Sequence, residues 1–205
     1  MAAVLSIVGV QKANAYTTSD LTSAGWTQVT SITDVDNNYY VFVDAETSEY
    51  AMARTTNSRP VYQKLTSPLS QSNLVWILED ASDGKYYIKS YFDNYYFYSG
   101  NAGWNNSMDA SSKSALTFTL SEGKYMISDE TFTDWKYLGP WNGHNYLNTD
   151  KGWSQDQKEV EYQRIVDNKK SSSDTTGDIS EGFFIFSMSK TTYAANCRNE
   201  ATLVS

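Results

Sequence analysis

Two stretches of this chain combine flat aromatic rings with side-chain amides: Gly100-Asn101-Ala102-Gly103-Trp104-Asn105-Asn106-Ser107, and Pro140-Trp141-Asn142-Gly143-His144-Asn145-Tyr146 with Lys151-Gly152-Trp153 just beyond. An indole offers an apolar platform, and an amide offers both donors and acceptors to hydroxyls. That pairing suits a ligand with C–H faces and ring hydroxyls, which is the chemistry of a sugar. Tryptophan in a Gly- and Asn-rich loop is costly unless the ring is covered or used. The expected ligand-binding residues are therefore Trp104, Asn105, Asn106, Trp141, Asn142, His144 and Trp153. The competing reading folds the indoles back as lids over a core and gives His144, the lone histidine, a turn-capping role.

Other chemistries lack their residues. Asp34-Val35-Asp36-Asn37-Asn38 opens like a calcium loop, but Tyr39 stands where the turn needs Gly and Ala45 where it needs Glu. A Ser-His-Asp triad would have to use His144, and no G-x-S-x-G elbow presents a serine. Phosphate loops and zinc spacings are missing, so no cofactor or metal is expected. Glycosidase acids would need two carboxylates about 10 Å apart or closer, and nothing distinguishes any pair among the 24 Asp and Glu. The expectation is not an enzyme, with an unrecognised glycoside hydrolase as the third reading.

Residues 2–10 (AAVLSIVGV) form an apolar run, and Ala13-Asn14-Ala15 follows as an A-x-A-like cleavage site. The run is far short of the ~20 residues that cross a bilayer. Residues 1–15 are thus expected to be a signal peptide, truncated at its start because no basic stretch precedes it. The mature chain would begin at Tyr16 and be secreted, periplasmic or cell-surface. The sole cysteine, Cys197, has no internal partner. The net charge of −8 and the scatter of Lys and Arg argue against nucleic acid as a partner.

Sixteen Tyr, six Trp and eight Phe stand among abundant Ser, Thr, Asn and Asp. Tyr and Thr suit pleated strands, Asn and Asp suit turns, and helical periodicity is missing. The fold expectation is all-β. Three segments start alike, at Tyr39-Tyr40-Val41, Tyr86-Tyr87-Ile88 and Tyr125-Met126-Ile127, and each closes on an aromatic-x-aliphatic strand: Trp76-Ile77-Leu78, Phe118-Thr119-Leu120 and Phe186-Ser187-Met188. Ser82-Asp83-Gly84 and Ser121-Glu122-Gly123 supply tight turns between copies. Such internal repetition points to a β-trefoil, with a β-sandwich as the alternative. Trp76, Phe118 and Phe186 would fill one core from equivalent places. Residues 16–190 would form one domain with an N-terminal arm, and residues 191–205 a closing strand or the start of a continuation. Residues 157–166 (QKEVEYQRIV) read as a strand or a short helix, and the polar tract 168–177 as a mobile loop.

Taken together, Asp20–Trp26, Asp36–Asp44 and Gly182–Met188 resemble modules at the N-terminal side of secreted or surface proteins of gut anaerobes. The closing aromatic strands more distantly resemble the ricin-type β-trefoil lectins. The resemblance implies a trefoil-like, lectin-like module in a carbohydrate-rich setting, tethered to something larger. That family carries Gln two residues before the closing aromatic, where Leu74, Leu116 and Phe184 stand here. A ricin-like galactose site is therefore not carried over. Asp44 and Asp129 lie roughly where the family places its sugar-binding acid, and ordinary turn carboxylates occur there too. The functional expectation is an exported, non-catalytic carbohydrate-binding module. The alternative is a structural or protein-interaction domain of a larger surface protein.

Overall fold

The computed structural model describes residues 16–56, 60–100, 107–131, 137–140, 160–165 and 182–203. The signal-peptide expectation for residues 1–15 and the mobile-loop expectation for 168–177 lie outside these. The expected N-terminal arm is a short helix, α1 (Thr18–Ser23), followed by a two-residue strand, β1 (Thr27–Gln28). Thr17 and Asp20 form a capping box at the start of α1, each side chain bonding the other's backbone N–H. Gly25, at φ +92°, turns the chain out of the helix so that buried Trp26 follows at once.

Twelve further strands fall into three consecutive groups. The first is β2 (Asn38–Asp44), β3 (Tyr50–Ala53), β4 (Val61–Lys64) and β5 (Trp76–Asp80). The second is β6 (Lys85–Ser90), β7 (Tyr96–Tyr98), β8 (Ser107–Asp109) and β9 (Leu116–Ser121). The third is β10 (Lys124–Ser128), β11 (Tyr137–Pro140), β12 (Val160–Ile165) and β13 (Phe183–Ser189). In each group the first strand pairs with the fourth: β2 with β5, β6 with β9, β10 with β13. Between groups β5 pairs with β6, β9 with β10, and β13 with β2. All these pairings are antiparallel. Six strands thereby close a ring, and the second and third strands of each group make a hairpin, β3–β4, β7–β8 and β11–β12.

This is the connectivity that a β-trefoil requires. The ring has no free edge, which answers the strand-edge problem by closure, and it leaves no two-sheet sandwich among the described residues. Glu122 (φ +50°) and Gly123 (φ +78°) form the two-residue β9–β10 turn, with both central residues in the left-handed region that such hairpins need. The segment 157–166, open between strand and helix in sequence, supplies β12, which pairs with β11 and β4.

Register corrects two details of the repeat. Tyr40, Tyr86 and Tyr125 face Trp76, Leu116 and Phe183 across the three first–fourth strand pairs. The equivalent core residues are thus Trp76, Leu116 and Phe183, all buried, rather than Trp76, Phe118 and Phe186. Phe118 lies partly buried against this core, whereas Phe186 belongs to an outer cluster with Leu21, Trp26, Met188 and Tyr193. Likewise Tyr40, not Tyr39, is the counterpart of Tyr86 and Tyr125. A shift of one residue moves a side chain to the opposite face of a strand, and β2 and β13 are covered on both faces.

The closing strand expected for residues 191–205 is not one; Lys190–Leu203 form a helix, α2. The ring is already complete at β13, and Ser189 accepts from the Thr192 N–H at 3.1 Å, which favours a helical start. Tyr193 of α2 is buried, meets Trp26 edge-on at 6.0 Å and donates to the Pro68 carbonyl at 3.0 Å. Among the described residues no helix is long and apolar enough to cross a membrane.

Candidate functional site

The expected ligand residues occupy two corresponding connections. Trp104, Asn105 and Asn106 belong to the link between β7 and β8; Trp141, Asn142, His144 and Trp153 belong to the link between β11 and β12. All seven lie outside the described residues, so the site is built from its described surroundings.

The turn after the first strand of each unit is the natural place to compare. At the same distance along the strand from Tyr40, Tyr86 and Tyr125 stand Asp44, Ser90 and Asp129, all buried. Each side chain holds the turn that follows it. One Asp44 carboxylate oxygen accepts from the Thr47 N–H and hydroxyl, both at 2.8 Å, and from the Tyr62 hydroxyl at 3.3 Å. Asp129 accepts from the Thr131 N–H at 3.0 Å and its hydroxyl at 2.5 Å. These acids act as turn carboxylates, and burial leaves them little surface for a ligand.

The second unit differs. The Ser90 hydroxyl accepts the Phe92 N–H at 3.1 Å, and the turn Tyr91-Phe92-Asp93-Asn94-Tyr95 exposes its rings. Tyr91, Phe92 and Tyr95 are 36%, 54% and 38% exposed, while the only other large hydrophobic so exposed among the described residues is Leu120. Three rings on one turn form a local apolar surface, which usually marks an interaction site.

The turn is nevertheless held on every side. Ser90 N–H donates to the Tyr95 carbonyl at 2.8 Å, Asn94 N–H to the Ser90 carbonyl at 3.0 Å, and Tyr91 N–H to the Val75 carbonyl at 3.1 Å. Asn94 sits at φ +65°, a left-handed conformation that Asn tolerates better than most residues. Tyr91 packs edge-on against Tyr39 and Tyr193, with centroids at 4.8 and 5.6 Å.

The strongest restraint comes from the first unit. Arg54, directly after β3 and only 5% exposed, sends both Nε and Nη2 to Asp93 Oδ2 at 2.8 Å. Its guanidinium also lies 5.3 Å from the centre of the Tyr95 ring, and its Nη1 donates to the Thr55 carbonyl. The other Asp93 oxygen accepts the Tyr95 N–H at 3.2 Å. Rings held in place before a ligand arrives lose little freedom on binding.

Beside the turn, Glu79 on β5 anchors the second unit's outer strands. It accepts from Lys89 at 3.2 Å and from the Tyr96 hydroxyl at 3.0 Å, with Lys113 at 3.7 Å and stacked 4.0 Å over the Tyr87 ring. Partial burial pushes the Glu79 carboxyl up, but the Tyr96 and Lys89 hydrogen bonds and the two ammonium charges together hold it below its ordinary 4.5. A lowered folded-state pKa gives stability that is present above the ordinary value and lost as pH falls through the lowered one. Wild type should therefore lose more stability than Glu79→Gln between roughly pH 5 and pH 3. Because the Glu79 side chain is 33% exposed, the difference should be no more than about 1 kcal/mol. Urea melts at both pH values check this; parallel losses would show that Glu79 does not titrate against its partners.

The sequence reading did not single out the Tyr91–Tyr95 turn. The available signal was Asp93-Asn94, a turn-forming pair set inside the aromatic run.

No family model and no curated protein matches the chain. Among solved structures it is similar to a GlcNAcα1-4Gal-releasing endo-β-galactosidase from Clostridium perfringens, at 13% identity and a TM-score of 0.48, over 74% of this chain and 32% of that one. It is also similar to a Polyporus squamosus lectin solved with the human-type influenza-binding epitope Neu5Acα2-6Galβ1-4GlcNAc, at 11% identity and a TM-score of 0.48, over 73% of this chain and 48% of that one. The chain thus spans less than half the length of each.

Proposed function

We propose that this chain is an exported, non-catalytic glycan-binding module whose ligand rests on the Tyr91–Tyr95 turn of the second unit. The observation that carries this reading is the display of three exposed rings on a turn fixed by Arg54, with the exposed Asn94 amide between them. A ring takes the C–H face of a pyranose, and an amide both gives to and accepts from its hydroxyls. Exposed platforms of this kind bind weakly alone and gain from repetition or tethering. Residues 101–106 and 141–153, with their tryptophans and amides, are a second place for the same chemistry.

A glycan array probed with wild type, Phe92→Ala, and a Trp104→Ala plus Trp141→Ala double variant tests the proposal. Phe92 is more than half exposed, so its removal should leave the fold intact and weaken binding about tenfold or more, as loss of a central aromatic contact does. Undiminished binding by Phe92→Ala, with loss in the double variant, would move the site to the segments that carry Trp104 and Trp141. Silence of wild type across the array would favour a structural or protein-interaction domain.

A further inference from the structure

We infer that the glycan this turn selects is uncharged, an inference that rests on the platform proposed above. Among the described residues, the charged groups near the platform have partners within the protein. Arg54 commits Nε and Nη2 to Asp93, Nη1 to the Thr55 carbonyl and its face to Tyr95, and it is only 5% exposed. Asp93 in turn commits one oxygen to Arg54 and the other to the Tyr95 N–H. Among the described residues an acidic sugar therefore meets no uncommitted guanidinium at this turn, and an amino sugar meets only a carboxylate that already holds Arg54 and the Tyr95 N–H.

The neighbouring cations follow the same rule. Lys89 and Lys113 both face Glu79, at 3.2 and 3.7 Å, and both stack on tyrosine rings. Lys190, beside Tyr39 on the flank of the aromatic cluster, donates to the Asp36 carbonyl at 2.6 Å. The chain as a whole carries −8, a field that repels polyanions at long range. What the turn leaves open is ring surface and the Asn94 amide. These recognise C–H faces and hydroxyls, and they are indifferent to salt because no ion pair forms or breaks.

Titration of the full chain and of Phe92→Ala against two sets of soluble polymers tests this. The neutral set is a β-glucan, a galactan and a galactomannan; the acidic set is polygalacturonate and chondroitin sulfate. Each titration is run at low and at high ionic strength. The expected result is binding to at least one neutral polymer, weakened about tenfold by Phe92→Ala and changed less than about twofold by salt. Phe92-dependent binding confined to the acidic set, collapsing as salt rises, would overturn the inference while leaving a glycan-binding turn in place. Phe92-independent binding, or none to either set, would overturn the platform and the inference together.

Discussion

Replacing Trp76 by alanine should remove about 3–5 kcal/mol of folding stability, a large share of the total that a domain of this size possesses. The indole is fully buried at the first strand pair of the ring, facing Tyr40, and meets Phe42 edge-on at 6.4 Å. Its Nε1 donates to the Met52 carbonyl at 2.8 Å, so it also ties the first unit's hairpin to the barrel. Truncation opens a cavity that a closed ring cannot easily collapse, because each wall strand is bonded to two others. It also strips a buried carbonyl of its donor, a further penalty of about 1 kcal/mol or more. A urea titration should show the midpoint shift with little change in slope. A loss below about 1 kcal/mol would mean that the barrel core does not depend on this side chain.

Arg54→Ala is the second large effect, and it joins stability to recognition. Removing the guanidinium leaves Asp93 without the fork that holds it and uncovers the Tyr95 ring. Breaking a fully buried pair typically costs 3–5 kcal/mol. The Asp93 side chain keeps 24% of its exposure, so water recovers part of this and about 2–3 kcal/mol is expected. Arg54 is a positioning residue: it acts on a ligand only through the turn it clamps. Arg54→Lys keeps the charge without the two-pronged geometry and should recover stability more fully than affinity. Thermal melts beside glycan titrations check this. Equal recovery of both would reduce Arg54 to a structural strut.

Much of the fold was legible because it depends on local chemistry that repeats. Turn residues such as Asp83-Gly84 and Glu122-Gly123 need only their own backbone preferences, and three similar starts followed by three aromatic closings imply three units. Register was less legible. The doublet Tyr39-Tyr40 offers two tyrosines of which only one can face the barrel, and the run Phe183-Phe184-Ile185-Phe186 is apolar on both faces because helices cover the outside. Alternation, the usual guide to strand faces, is silent where both faces are dry. Thr191-Thr192-Tyr193 looks like strand by composition, yet the ring is already closed at β13 and the segment folds as α2.

The platform was hidden for a related reason. Its rings sit in a run that continues into the core residue Phe97, so type alone does not say where burial ends. The clamp on Asp93 comes from Arg54 in another unit, and nothing in the local sequence joins the two. The acids that the sequence did flag, Asp44 and Asp129, serve the same kind of turn from inside. Where Asp occupies this place the turn is tied down by threonine from inside; where Ser90 occupies it the turn is held instead by Arg54 and carries its rings outward.

The most direct test of the central claim is a titration of the isotope-labelled chain with the oligosaccharide cut from its best-bound polymer, followed by amide NMR shifts. The claim predicts the largest shifts at Tyr91 to Tyr95 and at Arg54, with Asp44 to Thr47 and Asp129 to Thr131 unmoved. Shifts centred on residues 101–106 or 141–159, with the Tyr91–Tyr95 amides still, would contradict it.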